Sequence, residues 1–429
     1  MTTDPGTRAA DPDRTLRRLL AFLGSAMIAT GQPVDEIEEE LREVGRGFGA
    51  PDVQIAAGPT GLHVGLASGE PAAYESVEGP LRLDQAADVR LIRHQLLTDQ
   101  INVEQAIDRL TGLRGKPLLY PQWVADLGLV PVAVGICLIL QPGVANVLMS
   151  AVCGAVVVGL VRVSQRHPTL LALLPTVAGF VVSSLVFAAA DAGLLTGALR
   201  TVLPPLAVLL PGALIVTGLS ELAAGAMVAG SSRLLYGTVQ LMLFTLGIAA
   251  AATVLRTPPM LLANIRVAEL GGWAAPLGLV VIGVGIALSQ SVPVRLTPWV
   301  LGILALTFLA QLGGQHLGSP ALGSFLGAIA ASLGATTAEL VDRRMPRLVV
   351  FLPSFWLLVP GSLGLIGVSE VAIAPGQGQG LVVGLDVLTV TGAIATGLLV
   401  GSVVSRMVRV LGSRLVRVVG RGRPAVNRF

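Results

Sequence analysis

The stretch Leu203–Leu222, LPPLAVLLPGALIVTGLSEL, has a partner in Leu352–Val371, LPSFWLLVPGSLGLIGVSEV. Pro204, Pro211, Gly212, Gly218, Ser220 and Glu221 recur as Pro353, Pro360, Gly361, Gly367, Ser369 and Glu370, each 149 positions later. Between Thr201–Ala223 and Val350–Ala372, ten of 23 residues are identical. Each copy is an apolar run broken near its middle by Pro-Gly and closed by Ser-Glu. A segment of this kind is long enough for a membrane span, yet it cannot be one unbroken helix. Proline removes an amide donor and clashes with the turn before it, while glycine lets the chain bend.

Composition points the same way. The 429 residues are 53% hydrophobic and only 13% charged, against about 25% charged in an ordinary soluble chain. Nineteen of the 26 acidic residues precede Leu127. These values predict a polytopic α-helical membrane protein preceded by a small soluble α+β domain. The net charge of +3 comes from arginines at loops and in the tail, which marks membrane topology and not a nucleic-acid surface. Cys137 and Cys153 lie in apolar runs and are expected as buried free thiols, and the chain shows no metal-ligand or cofactor spacing. The first apolar run, LLAFLGSAMIATG (Leu19–Gly31), continues into an acidic helix and is taken as a core helix, not a signal peptide.

In the first 113 residues, Leu16, Leu19, Leu20, Leu23 and Met27 repeat at helical spacing, and Gly31-Gln32-Pro33 stops that helix. A second, acidic helix is expected over Asp35–Phe48, then two short strands around Gly58-Pro59-Thr60-Gly61. Helices over Asp84–Thr98 and Asn102–Leu113 follow, with Asn102 as N-cap. His63 and His94 have no companion residues for a metal or a nucleophile and are expected to be satisfied or exposed. Residues 114–122 form a linker, and Tyr120 and Trp123 suit the aromatic belt at a membrane surface.

Ten spans are expected: 123–140, 144–163, 169–189, 198–219 and 234–255, then 273–290, 296–313, 320–341, 348–368 and 384–408. Adding 149 to the bounds of the first five lands within four residues of the second five. Gln141 and Gln290, and His167 and His316, fall at the same offset. The organisation is then 1–113 soluble domain, 114–122 linker, 123–255 first repeat, 256–272 connector, 273–408 second repeat and 409–429 basic tail. A directly connected pair of five-span units enters the membrane from opposite sides, so the ten transmembrane helices form two inverted five-helix repeats. Arg162, Arg166, Arg233, Arg295, Arg343, Arg344, Arg347 and the tail fall on one side. Arg200, Arg256 and Arg266 fall on the other, which puts both termini in the cytoplasm.

Non-helical backbone at membrane depth survives where it is covered by protein or lines a cavity. The Pro-Gly breaks therefore serve either to kink a helix for packing or to offer backbone groups to a small polar solute, and their occurrence in two related spans favours the solute. The candidate binding residues are Pro211, Gly212, Thr217, Gly218, Pro360, Gly361 and Gly367. Glu221 and Glu370 stand nine residues beyond their glycines, about 13 Å along a helix, and so belong to the two mouths of a site and not to its centre. With Asp386 they are the candidates for proton coupling or gating, the alternative being plain interfacial carboxylates. Asp191 and Glu339 are expected at span ends. Walker, nucleophile-elbow and H-E-x-x-H motifs are absent from the sequence, so ATP-driven pumping and these hydrolytic chemistries have no visible tools.

GPTGLHVGL (Gly58–Leu66) and LLPGALIVTGLSELAAGAMVAGSSRLL (Leu209–Leu235) resemble the most recognisable stretches of the threonine/serine exporter family of bacterial and fungal membrane proteins. EEELREVGRGFG (Glu38–Gly49) is similar to its acidic second helix more loosely. Pro211, Gly212, Gly218, Gly225, Gly230 and Arg233 match the family pattern, whereas Thr217, Ser220, Glu221 and Ala226 stand where Asn, Arg and two Asp occur. The resemblance implies a cell-membrane exporter of threonine and serine, driven by the proton motive force, with a cytoplasmic N-terminal domain. Its partners would be protons, the lipid bilayer and a small-molecule substrate. A dicarboxylate remains the alternative solute, a non-transporting membrane scaffold the alternative class, and a homo-oligomer is left open.

Overall fold

The structure is a computed structural model and describes residues 12–341, 354, 385, 388–405 and 407. The chain begins with α1 (Pro12–Ala29) and α2 (Val34–Gly47), and continues into the antiparallel sheet β1 (Gln54–Ala57), β2 (Gly61–Gly65) and β3 (Ala73–Ser76). Helices α3 (Leu83–Leu97) and α4 (Val103–Gly112) complete an α+β unit. The residues predicted for the inner face of α1 are all buried, and they meet Ile37, Leu41 and Val44 of α2, Val64 of β2 and Ile107 of α4 in one core. At the start of α4, Asn102 Oδ1 accepts the Gln105 amide at 2.8 Å, and Gln105 Oε1 accepts the Asn102 amide at 3.2 Å, the reciprocal cap expected there. Strand β3 was not anticipated. Its residues are only half-buried or exposed, so an edge strand of this kind carries no apolar alternation to read. His63 is exposed, 4.9 Å from the Tyr74 ring.

The remainder is helical: α5 (Gln122–Leu127), α6 (Leu129–Leu140), α7 (Val144–Ser164), α8 (Pro168–Asp191), α9 (Ala198–Ala207), α10 (Gly212–Ala223) and α11 (Met227–Val254). After a connector come α12 (Ala274–Ser289), α13 (Thr297–Leu317), α14 (Pro320–Val341) and α15 (Leu388–Ser405). Among the described residues seven helices are long and apolar enough to cross a membrane, or eight when α9 and α10 count as one bent span. Helix α12 has 16 residues, about 24 Å, short of the ~30 Å hydrocarbon core. Apart from Ser354, the span expected over 348–368 lies outside the described residues, and so do Pro353, Pro360, Gly361, Gly367, Glu370 and Asp386. Leu148, Val152, Met242, Leu246 and Leu309 are exposed on these helices, as lipid-facing side chains are. Cys137 and Cys153 are free and buried.

Small residues set the helix crossings, because close backbone approach is what holds apolar helices together in lipid. A Cβ on Gly135 would lie 2.6 Å from the Gly278 carbonyl oxygen, and one on Gly278 2.6 Å from that of Gly135. Gly128 and Gly285 oppose each other in the same way, at 2.9 and 2.7 Å. The α6–α12 pair is therefore antiparallel and packed backbone to backbone. Helix α8 crosses α11 with Gly179 against the Phe244 carbonyl, and α14 crosses α15 with Gly397 against the Phe325 carbonyl.

The α+β unit is docked on these helices. Leu83 of α3 is 1% exposed and sits in one core with Val132 and Ile136 of α6, Ile282 and Ile286 of α12, and Leu304 of α13.

Candidate functional site

Helices α9 and α10 are the two halves of the proline-broken segment, and they meet at 73°. Pro204 and Pro205 lie inside α9, the chain turns through Val208–Leu210, and Pro211 (φ −80°, ψ 32°) precedes the first residue of α10, Gly212. The first amide bonded back across this start is that of Ile215, to the Pro211 carbonyl at 3.0 Å. The amides of Gly212, Ala213 and Leu214 therefore stand at a helix N-terminus without intrahelical partners.

Ala213, Leu214, Thr217 and Ser220 of α10, with Arg233 of α11, form one wall of a cavity of about 1770 Å³. The opposite wall is the α+β unit: the Thr30–Pro33 turn, the acidic α2 residues Glu36 and Glu39, and Pro59 and Thr60 of the β1–β2 turn. Leu398 and Ser402 of α15 contribute a third side, so the cavity lies between the docked unit and the broken span.

The structure distributes the candidate residues as follows. Pro211 and Gly212 are buried at the break, and Thr217 faces the cavity. Gly218 is turned to the α10–α11 crossing: a Cβ there would lie 2.8 Å from the Gly230 carbonyl oxygen and 2.9 Å from the Leu234 amide. Glu221 is fully buried. Its Oε1 accepts the Val34 amide at 3.0 Å and forms an ion pair with the Arg233 guanidinium at 3.1 Å. Val34 is the first residue of α2, so the carboxylate also sits at the positive end of that helix. Glu221 Oε2 and the Ser220 hydroxyl are buried without a hydrogen-bond partner among the described residues.

Sequence position marks Arg233 as a topology residue, whereas the structure places it in the cavity wall. The available signal was its opposite charge to Glu221 in a neighbouring apolar helix across the Gly225 turn. Gly225 has φ +90°, so α10 and α11 fold back on each other there.

Gln141, at the end of α6, is fully buried and anchors three segments. Its Nε2 donates to the Ile265 carbonyl at 3.1 Å and the Gly197 carbonyl at 3.4 Å, and its Oε1 accepts the Val267 amide at 3.1 Å. Asn146 adds bonds to the Thr196 carbonyl at 2.8 Å and the Thr201 hydroxyl at 2.7 Å. The sequence counterpart Gln290 lines the cavity instead.

A bundle of apolar helices with one of them broken beside a large cavity defines a multi-pass membrane protein of the transporter class. A family model described as "Putative threonine/serine exporter" matches residues 18–255, more than half of the chain. The chain belongs to the threonine/serine exporter family, whose members are transporters and not enzymes. No match was found among curated proteins or among solved structures.

Proposed function

We propose that the chain is a secondary active exporter of threonine and serine, driven by the proton gradient across the cell membrane. The observation that carries the proposal is the 73° break at Pro211-Gly212, which puts the α10 N-terminus and Thr217 on the wall of the cavity. Unpaired helix amides suit a solute carboxylate, and the acidic α2 face opposite suits a solute ammonium. Glu221 would act as a gate: its bond to Val34 joins the α+β unit to the broken span. Pro360, Gly361 and Gly367 would complete the site from the second repeat, with Glu370 and Asp386 as further coupling groups.

The ten-span, inverted-repeat plan is part of this proposal. At an offset of 150 residues Gly128 corresponds to Gly278 and Gly135 to Gly285. Gly128 meets Gly285 and Gly135 meets Gly278, the reciprocal pattern of a contact across a two-fold axis. Because α6 and α12 are antiparallel, such an axis would lie across them, in the membrane plane. The α8–α11 and α14–α15 crossings also correspond. The arginine bias supports cytoplasmic termini and a cytoplasmic α+β unit.

The test is counterflow in proteoliposomes with threonine, serine and succinate, with and without a pH gradient. Threonine and serine should exchange and respond to the gradient. Equal exchange of succinate would overturn the amino-acid assignment. Undiminished counterflow by Pro211→Ala would overturn the role of the break, and no counterflow of any solute would leave the scaffold alternative.

A further inference from the structure

Arg233 is an arginine in an apolar helix, 7% exposed, on the wall of a cavity. A charge in that position is costly unless paired, and among the described residues its one partner is Glu221. The pair is not symmetric. Arg233 lines the cavity whereas Glu221 lies behind the wall with no exposure. Glu221 forms its ion pair with a guanidinium nitrogen through Oε1 at 3.1 Å, and a guanidinium carries five N–H donors. The same cavity is lined by Ser220, whose hydroxyl is buried without a hydrogen-bond partner among the described residues, by Thr217, and by the α10 first turn at Ala213 and Leu214. Cation, hydroxyl donors and a helix N-terminus all select for an anion.

We propose that Arg233 is the carboxylate-recognising residue of this cavity, with Ser220 as a second donor, and that Glu221 is its positioning residue. The inference rests on the cavity being the solute's path. Held from behind by Glu221, the guanidinium presents its remaining N–H groups to the cavity in a fixed orientation, and a bidentate contact with a planar carboxylate needs that orientation. The Val34 amide in turn holds Glu221, so the α+β unit takes part in aligning the site. The carboxylate could come from an amino acid or from a dicarboxylate, and the two are separated by the choice of solutes below.

The test is counterflow and binding by the full-length protein with threonine, succinate and threoninol, the amino alcohol in which the threonine carboxylate is reduced. The parent protein should reject threoninol. Arg233→Lys should retain a weakened preference for the carboxylate. Arg233→Gln alone leaves the buried Glu221 charge uncompensated and risks misfolding, so Arg233→Gln with Glu221→Gln is the informative variant. It should run as a monodisperse, cooperatively melting protein and bind threonine at least ~30-fold more weakly, a loss of about 2 kcal/mol. Glu221→Gln alone should weaken threonine several-fold more than Glu221→Asp. The inference is overturned if the double variant carries threonine within threefold of the parent, or if the parent accepts threoninol as readily as threonine. A parent that carries none of the solutes would refute the transport proposal itself.

Discussion

Glu221 and Arg233 meet across the Gly225 turn at 3.1 Å, the carboxylate sealed from solvent and the guanidinium 7% exposed. Removing one member of a buried pair strands the other charge, at a cost of about 3–5 kcal/mol, whereas removing both is far milder. Glu221→Leu should therefore lower the melting temperature sharply in detergent. Glu221→Gln combined with Arg233→Gln should recover more than half of that loss, and an additive double loss would refute the coupling.

Val34 offers a cleaner probe of the contact between the α+β unit and α10. Proline is accepted at a first helical position, and Pro33 already has the extended ψ of 142° that a following proline requires. Val34→Pro deletes the amide that Glu221 accepts, while Val34→Ala keeps it. A hydrogen bond to a charged group contributes about 1.5–3 kcal/mol, so the proline variant should melt below the alanine variant by about that amount. Equal melting would show that the bond holds nothing.

The α6–α12 crossing tolerates no side chain. Gly135→Ala and Gly278→Ala each push a methyl against a backbone carbonyl 2.6 Å away, and overpacking of this kind costs about 1–3 kcal/mol. Gly159 of α7 has no atom within 4 Å of its would-be Cβ, so Gly159→Ala should leave melting unchanged or raise it slightly. The three variants compared in one thermal series check the crossing directly.

Gln141 and Gln290 should respond differently to the same change. Gln141→Leu strands the Ile265 carbonyl and the Val267 amide, about 1–3 kcal/mol for each group left buried, and should expose the 256–272 connector to protease. Gln290 faces the cavity, so Gln290→Leu should shift stability by roughly 0.5 kcal/mol or less. Equal destabilisation would refute the distinction.

Orientation is tested with thiols. The native Cys137 and Cys153 are buried, so background labelling should be low. With cytoplasmic termini, Gly272→Cys should react with an impermeant maleimide in intact cells, and Ser68→Cys only after permeabilisation. The reverse pattern would invert the topology.

Much of this was legible because it is local. Helical spacing of Leu16, Leu19, Leu23 and Met27 placed α1, Asn102 announced the α4 cap, and Pro211-Gly212 marked the break between α9 and α10. Strand β3 was illegible because an edge strand needs no strong pattern. Gly218, grouped with the binding residues, turned to the α10–α11 crossing, since a glycine conserves no direction in the sequence that would tell a binding face from a packing one. Arg233 looked like a topology marker because arginine near a span end is ordinary, and only a neighbouring helix reveals whether it points to water or to a carboxylate.

The sequence by itself determined that this is a membrane protein with a proline-broken span. Hydrophobic content and the chemistry of proline and glycine act within a few residues and need no fold. The tertiary structure decided which groups meet at the break. Val34 and Glu221 are 187 positions apart and meet in a fold where the α+β unit also shares a core with α6, α12 and α13 through Leu83. Glu221, which sequence position alone places at a mouth of the site, is a covered carboxylate between a helix N-terminus and an arginine.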